Sequence, residues 1–208
     1  MNKIIVTDRR GARFGDFYGI FFEDLNHAAG GGLYAETIRN RSFEFSPIDD
    51  PTYNGLTAWT AYEPEGTKVS LSVSRKAPAS ERAPHYLVMD VITDGTAAGV
   101  KNEGYNSGIL LYKGKSYKLS LRARADRETS VKISLVSAVG AEYDSADITL
   151  GKEWSMYSAV LTAAKDDHSA RLLISMDTTG RACFDFVSLF PEDTYKGREN
   201  GLRRDIAE

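Results

Sequence analysis

The chain has 208 residues, 42% of them hydrophobic, enough for one domain with a sizeable core and short extensions. Its 26 basic and 29 acidic residues are well mixed and give a net charge of −3, so no basic block is available to neutralise a run of phosphates and nucleic acid is not an expected partner. The apolar runs are too short to span a bilayer, which excludes a membrane partner of that kind, and the first residues lack the apolar stretch of a signal peptide, which makes the cytoplasm the expected location.

Three zones follow in chain order. In residues 1–43, KIIV and FYGIFF have the length and character of strands, and GGLYAETIRN spaces Leu33, Thr37 and Ile38 for one face of a short helix. A strand, a glycine-rich acidic loop and a helix make one unit of an α/β fold, and no second unit follows. Between them, Glu23, Asp24, Asn26 and His27 crowd together. Carboxylates at the end of such a strand can accept hydrogen bonds from a ligand, but adjacent acids point to opposite sides and cannot flank one glycosidic bond. A solvated loop accounts for them equally. His27 has no second histidine nearby in sequence, and the triple glycine at 30–32 lacks phosphate-binding spacing, so it is expected to allow close backbone approach.

Residues 44–190 change period. KSYKLSLRARA alternates Tyr117, Leu119, Leu121 and Ala123 with Lys118, Ser120, Arg122 and Arg124, and VSLSV, YLVMDVI, VKISLVSAV, ARLLISM and CFDFVSLF are further strand-length runs. EPEG, TDG, YKGK, TLGKEW and DTTG separate them as turns. The pattern predicts a mostly β protein, an antiparallel β-sandwich of jelly-roll type. Cys183 lies in a strand pattern as a structural thiol. Among the aromatics, Tyr117 and Trp154 are assigned to the core, whereas Trp59 suits either core or ligand platform. The loop VKNEGYNSG brings Asn102, Glu103, Tyr105 and Asn106 together as a turn or a carbohydrate-binding patch. Glu44 and Asp185 flank the sandwich, and Asp185, alternating with Val187 and Leu189, is expected to be buried. The pair is a candidate metal site for calcium, though without calcium-loop spacing. In residues 191–208, Pro191 ends the last strand and Asn200 is positioned to cap a helix.

FYGIFFEDLNHAAGGGLYAETIRNRSFEF resembles the start of the catalytic barrel of glycoside hydrolase family 51 α-L-arabinofuranosidases, and VSLFPEDTYKGRENGLRRDIAE resembles the place where that barrel resumes. NRSFE, NEGYNSG and FDFVSLFP between them resemble an inserted carbohydrate-binding-like β-sandwich of the family 4/9 type. The resemblance implies short segments of a (β/α)8 barrel at 1–43 and 191–208 around a sandwich at 44–190, with Tyr18 to Phe22 as first barrel strand and 33–40 as first barrel helix. It implies that Glu23 and Asn26 bind substrate arabinose in an intact parent, with Gly31 and Gly32 shaping the rim, and that Glu44 and Asp185 hold a structural calcium. The parent would hydrolyse terminal α-L-arabinofuranosyl residues of arabino-oligosaccharides by a retaining mechanism, with no catalytic cofactor. Its acid/base and nucleophile glutamates belong to later barrel strands whose motifs are not in this sequence, so this piece is not expected to be an enzyme. Its expected partners are arabinose-containing oligosaccharides and the remainder of its own catalytic barrel. The alternatives are a sandwich that binds sugar and one that only braces the barrel or builds an oligomer. Without barrel neighbours, strand 17–22 is expected to fold back on the C-terminal segment, to pair with another copy in a homo-oligomer, or to stay weakly ordered.

Overall fold

The computed structural model describes residues 26–208. The strands anticipated at 3–6 and 17–22, and Glu23 with them, lie outside the described residues. Eleven strands follow: β1 (Trp59–Tyr62), β2 (Val69–Ser74), β3 (Tyr86–Val91), β4 (Ala98–Asn102), β5 (Ile109–Leu111), β6 (Ser116–Ala125), β7 (Thr129–Val136), β8 (Glu142–Leu150), β9 (Ser155–Thr162), β10 (Asp167–Met176) and β11 (Gly180–Pro191). They form two antiparallel sheets, ordered β1-β4-β10-β7-β8 with β5 also on β10, and β2-β3-β11-β6-β9. Alternate residues of each strand face the opposing sheet, as in β6, where Tyr117, Leu119, Leu121 and Ala123 are buried and Lys118 is exposed. Every turn named from the sequence separates two of these strands.

Strand β11 breaks its own alternation. A bulge between Asp185 and Ser188, with Phe186 at φ 49°, shifts the register on β6. Phe184, Val187 and Leu189 therefore point into the core, while Asp185 pairs across from Arg122 on the other face. The face assignment made from simple alternation is corrected accordingly: Asp185 is buried, but apart from Val187 and Leu189.

Strand β3 covers one edge of β11 only as far as the Leu87–Phe184 pair. Residues 36–41 take over from there. Val187 N–H donates to the Arg41 carbonyl at 2.9 Å, Leu189 N–H to Glu36 Oε1 at 2.9 Å, and Thr37 N–H to the Leu189 carbonyl at 3.1 Å. Residues 33–40 are thus turn and extended chain, not the expected helix. The β11 edge satisfies more backbone groups in that arrangement than an isolated helix of that length would gain. Helix α1 is the single turn Arg204–Ala207, preceded by Arg203, so Asn200 does not cap it; Asn200 sits in a turn at φ 50°.

Asn40 locks the turn beyond this seam. Its Nδ2 donates to the Gly55 and Thr57 carbonyls at 3.0 and 3.1 Å, its Oδ1 accepts Phe45 N–H, and its carbonyl accepts Trp59 Nε1–H at 3.0 Å. The Phe43 ring packs against Trp59, tilted by 35° with centroids 5.1 Å apart, and closes the core beneath. We predict that Asn40→Ala lowers the unfolding free energy by about 2–4 kcal/mol in urea titrations, because three side-chain bonds at a buried site vanish. Asn106→Ala, at the same left-handed φ but exposed, should cost less than about 1 kcal/mol.

Candidate functional site

The two arms of the chain meet at one end of the sandwich. Tyr34 bridges Leu202, Ala35 N–H donates to the Gly201 carbonyl at 3.2 Å, and Arg203 N–H donates to the Leu33 carbonyl at 2.8 Å. Between the arms and the sandwich lies a cleft of about 700 Å³. Its sandwich wall is residues 105–110, Tyr112 and 114–117 with His168, and its outer walls are Gly31 with 35–37, 191–193 and α1.

Several charged groups of the outer wall neutralise one another. Asp193 accepts from Arg204 at 3.0 Å and Lys115 at 3.2 Å, and these bonds hold its carboxyl below the usual range. Arg203 forks onto Asp205, with Nε–Oδ1 at 3.0 Å, and depresses that carboxyl too. The sandwich wall offers Tyr105, Asn106, Ser107, Tyr112 and His168. Rings with C–H-facing surfaces next to neutral amide and hydroxyl groups suit an uncharged polyol better than an anion. The buried Tyr117 accepts Tyr112 N–H at 2.9 Å and fixes the turn that presents Tyr112; burial raises its phenol pKa.

The sequence-predicted residues fare differently. Tyr105 and Asn106 line the cleft, and Asn26 sits at the start of the loop that leads to Gly31. Trp59 is only 4% exposed and its indole N–H is committed to Asn40, so it is core rather than a sugar platform. Asn102 is fully buried, donating to the Arg39 carbonyl at 3.0 Å and accepting Gly104 N–H at 2.9 Å, so it supports the loop without facing a ligand. Both point inward because they pair with each other across β1 and β4 on the core side. His168, remote from His27 in sequence, lines the same cleft as Tyr105, whose ring packs 5.4 Å from His27. Tyr112, one of many aromatics in the sandwich zone and not distinguished among them by sequence, is exposed by the YKGK turn and lines the cleft. Trp154 is half-buried rather than core, held edge-on to Tyr86 with Arg124 4.8 Å above its ring.

The surroundings of Glu44 and Asp185 weigh against a calcium ion between them. Glu44 Oε1 accepts His85 N–H at 2.8 Å and its Oε2 bonds His85 Nδ1, which engages both oxygens. Arg41 and Arg122 are close enough to act on Asp185 and compete with any cation. Among the described residues no three His, Cys, Asp or Glu side chains gather as ligands, whereas calcium needs about six or more oxygens. No helix among them is long and apolar enough to cross a membrane.

Residues 35–180 match the family described as carbohydrate binding domain, of families 4 and 9. The chain belongs to that family. It is 39% identical over 200 residues to the extracellular exo-α-L-arabinofuranosidase of Streptomyces chartreusis, covering 96% of this chain and 23% of that enzyme. It is 32% identical over 200 residues to α-L-arabinofuranosidase 1 of Arabidopsis thaliana, covering 91% and 28%. The structure of an arabinose-bound GH51 α-L-arabinofuranosidase superposes with a TM-score of 0.78 at 28% identity, over 91% of this chain and 31% of that one. A family 4 carbohydrate-binding module superposes with a TM-score of 0.50 at 18% identity, a likeness of fold. The chain thus spans about a quarter of the curated relatives it matches. The cytoplasmic expectation is overturned, since the Streptomyces relative is extracellular. Inference from the first residues fails for a chain that spans so little of its relatives.

Asp185 is fully buried with Oδ2 unpartnered, and its pKa rises to about 7. Burial is the main cause and Glu44 adds to it, against the Phe186 N–H bond and the cations of Arg122 and Arg41. The folded state therefore holds a proton that the unfolded chain releases near pH 4, and stability falls as pH rises from about 4 to 7. Asp185→Asn keeps the shape and removes the ionisation. Its melting temperature should match the wild type near pH 4 and exceed it by several degrees at pH 8; equal melting at pH 8 contradicts this account.

Proposed function

We propose that this chain is the accessory sandwich, with its two connecting arms, of an α-L-arabinofuranosidase, and that the cleft between arms and sandwich receives arabinose-containing oligosaccharide. The observation carrying this reading is the pairing of the arms beside that cleft, at Tyr34–Leu202 and Leu33–Arg203. An insertion in a larger fold must bring its two connections together at one end, and ligand sites favour such boundaries between domains. The arabinose-bound relative supports it, because the superposition extends over 91% of the chain and so takes in more than the 35–180 sandwich.

In this reading the division into 1–43, 44–190 and 191–208 separates barrel from sandwich, although 36–41 also completes a sheet edge. Glu23 and Asn26 would contact arabinose in the intact enzyme, which would release terminal α-L-arabinofuranosyl groups with retention. The double displacement needs two carboxylates about 5–5.5 Å apart, and the later barrel strands would supply them. The remaining barrel would cover Leu33, Tyr34, Leu202 and Ile206, which are exposed around the paired arms. That apolar gathering also favours the second reading, a sandwich that braces the barrel without binding sugar. On the outer face of the β4-β10-β7 sheet, Lys101, Leu173, Ser134, Ser175 and Lys132 stand where a row of rings would be needed to hold a polysaccharide.

Titration with arabino- and xylo-oligosaccharides separates the two readings. We expect amide chemical-shift changes at Tyr105, Asn106 and Tyr112 at millimolar arabino-oligosaccharide; silence there at ten times that concentration leaves only bracing. The isolated chain should show no turnover of a nitrophenyl arabinofuranoside that survives repurification.

A further inference from the structure

The loop before the incoming arm is built from costly backbone. Asn26 and His27 lie at φ 52° and 60°, and Gly31 at φ 81°. Asn and His tolerate the left-handed region better than most residues, but two in succession need outside support. Within the loop, Leu33 N–H donates to the Ala28 carbonyl at 2.7 Å and Tyr34 N–H to Ala29 at 2.9 Å. These bonds bring the chain so close that a Cβ on Gly32 would sit 2.2 Å from the Ala28 carbonyl oxygen.

Support for the tip comes from the sandwich. The Tyr105 ring packs edge-on to His27 at 5.4 Å and an interplanar angle of 60°. The same ring lies on Gly31, where a Cβ would fall 2.4 Å from two ring carbons. Tyr105 is itself rigidly carried. Its carbonyl accepts Gly108 N–H at 2.9 Å, and the buried Asn102 holds Gly104 N–H at 2.9 Å on the preceding turn. Gly104 runs at φ 64°, a conformation that glycine adopts freely. A chain of fixed contacts thus leads from the sandwich core, through Asn102 and the Gly104 turn, to the Tyr105 ring and the 26–34 loop.

We propose that Tyr105 is a positioning residue through which the sandwich sets the conformation of the 26–34 loop, and with it the Gly31 side of the cleft that faces the sugar. The link to sugar rests on the proposed function of that cleft. The sandwich then shapes the ligand site from the side, by the face of one ring, as well as carrying its own share of the cleft lining.

The test compares Tyr105→Ala and Tyr105→Phe in the chain of residues 1–208. Without sugar, the Leu33 and Tyr34 amides should exchange about tenfold faster in Tyr105→Ala, with His27 ring resonances moved, and both should stay near wild type in Tyr105→Phe. With arabinotriose, Tyr105→Ala should weaken binding about three- to tenfold, the size of one aromatic contact, and Tyr105→Phe less than about twofold. Adding Tyr105→Ala to Gly31→Ala should cost less than the sum of the two, since the clash with the ring disappears. Unchanged loop exchange in Tyr105→Ala overturns the proposal, as does a Tyr105→Phe protein that behaves like Tyr105→Ala. Faster exchange with unaltered arabinotriose affinity overturns its link to sugar. A wild type that ignores arabinotriose defeats the proposed function instead, and the loop exchange alone then decides the positioning role.

Discussion

A buried carboxylate stands in for a missing strand. Among the described residues β3 pairs with β11 only as far as Phe184, and without residues 36–41 the Val187 and Leu189 N–H groups would be stranded. Buried donors left unpaired cost about 1–3 kcal/mol each. Glu36, itself 3% exposed, places Oε1 against the Leu189 and Ile38 N–H groups at 2.9 and 3.0 Å and Oε2 against the Ser188 hydroxyl. Burial raises its pKa, those bonds oppose the rise, and Arg41 helps from 3.8 Å. The Arg41 carbonyl takes the Val187 N–H group. This seam commits the incoming arm to the sandwich edge and explains why a stretch with helical spacing runs extended.

The other features follow from the seam. With 36–41 fixed, Asn40 can close its turn over Trp59, and Phe43 can fill the end of the core. With Ala35 fixed, the arm meets the outgoing chain at Leu202 and Arg203, and the cleft opens beside that meeting. The bulge that frees Val187 for the core also leaves Asp185 buried, under the influence of Glu44, Arg41 and Arg122, where its ionisation opposes folding.

Much of the fold was legible because strong alternation has a single good solution: β6, β7 and the inner half of β10 could not be placed otherwise. Strand β9 escaped notice because Met156 and Val160, 63% and 53% exposed, add apolar residues to its outer face and blur the period. Strand β8 did so because Asp144, Ser145 and Asp147 dominate it. The site was legible where glycines advertised it, at the Tyr105 and Asn106 loop and at Gly31, whose close backbone approach the triple glycine foretold. Trp59 and Asn102 misled because residue type does not reveal which way a strand faces, and the inward side here was set by a pairing between β1 and β4 that has no local signature. His27 and Tyr105 are 78 positions apart in sequence, and only the seam brings their segments together.

Amide hydrogen exchange at Val187 and Leu189 tests the seam most directly. Both amides should exchange with protection close to that of the core strands, for example Leu121 and Ile133, since they open only when the incoming arm leaves the sheet with the rest of the fold. Exchange at the rate of the exposed turns, with the β6 and β7 amides still protected, would mean that the arm is not part of the sandwich, and the account of the cleft would fall with it.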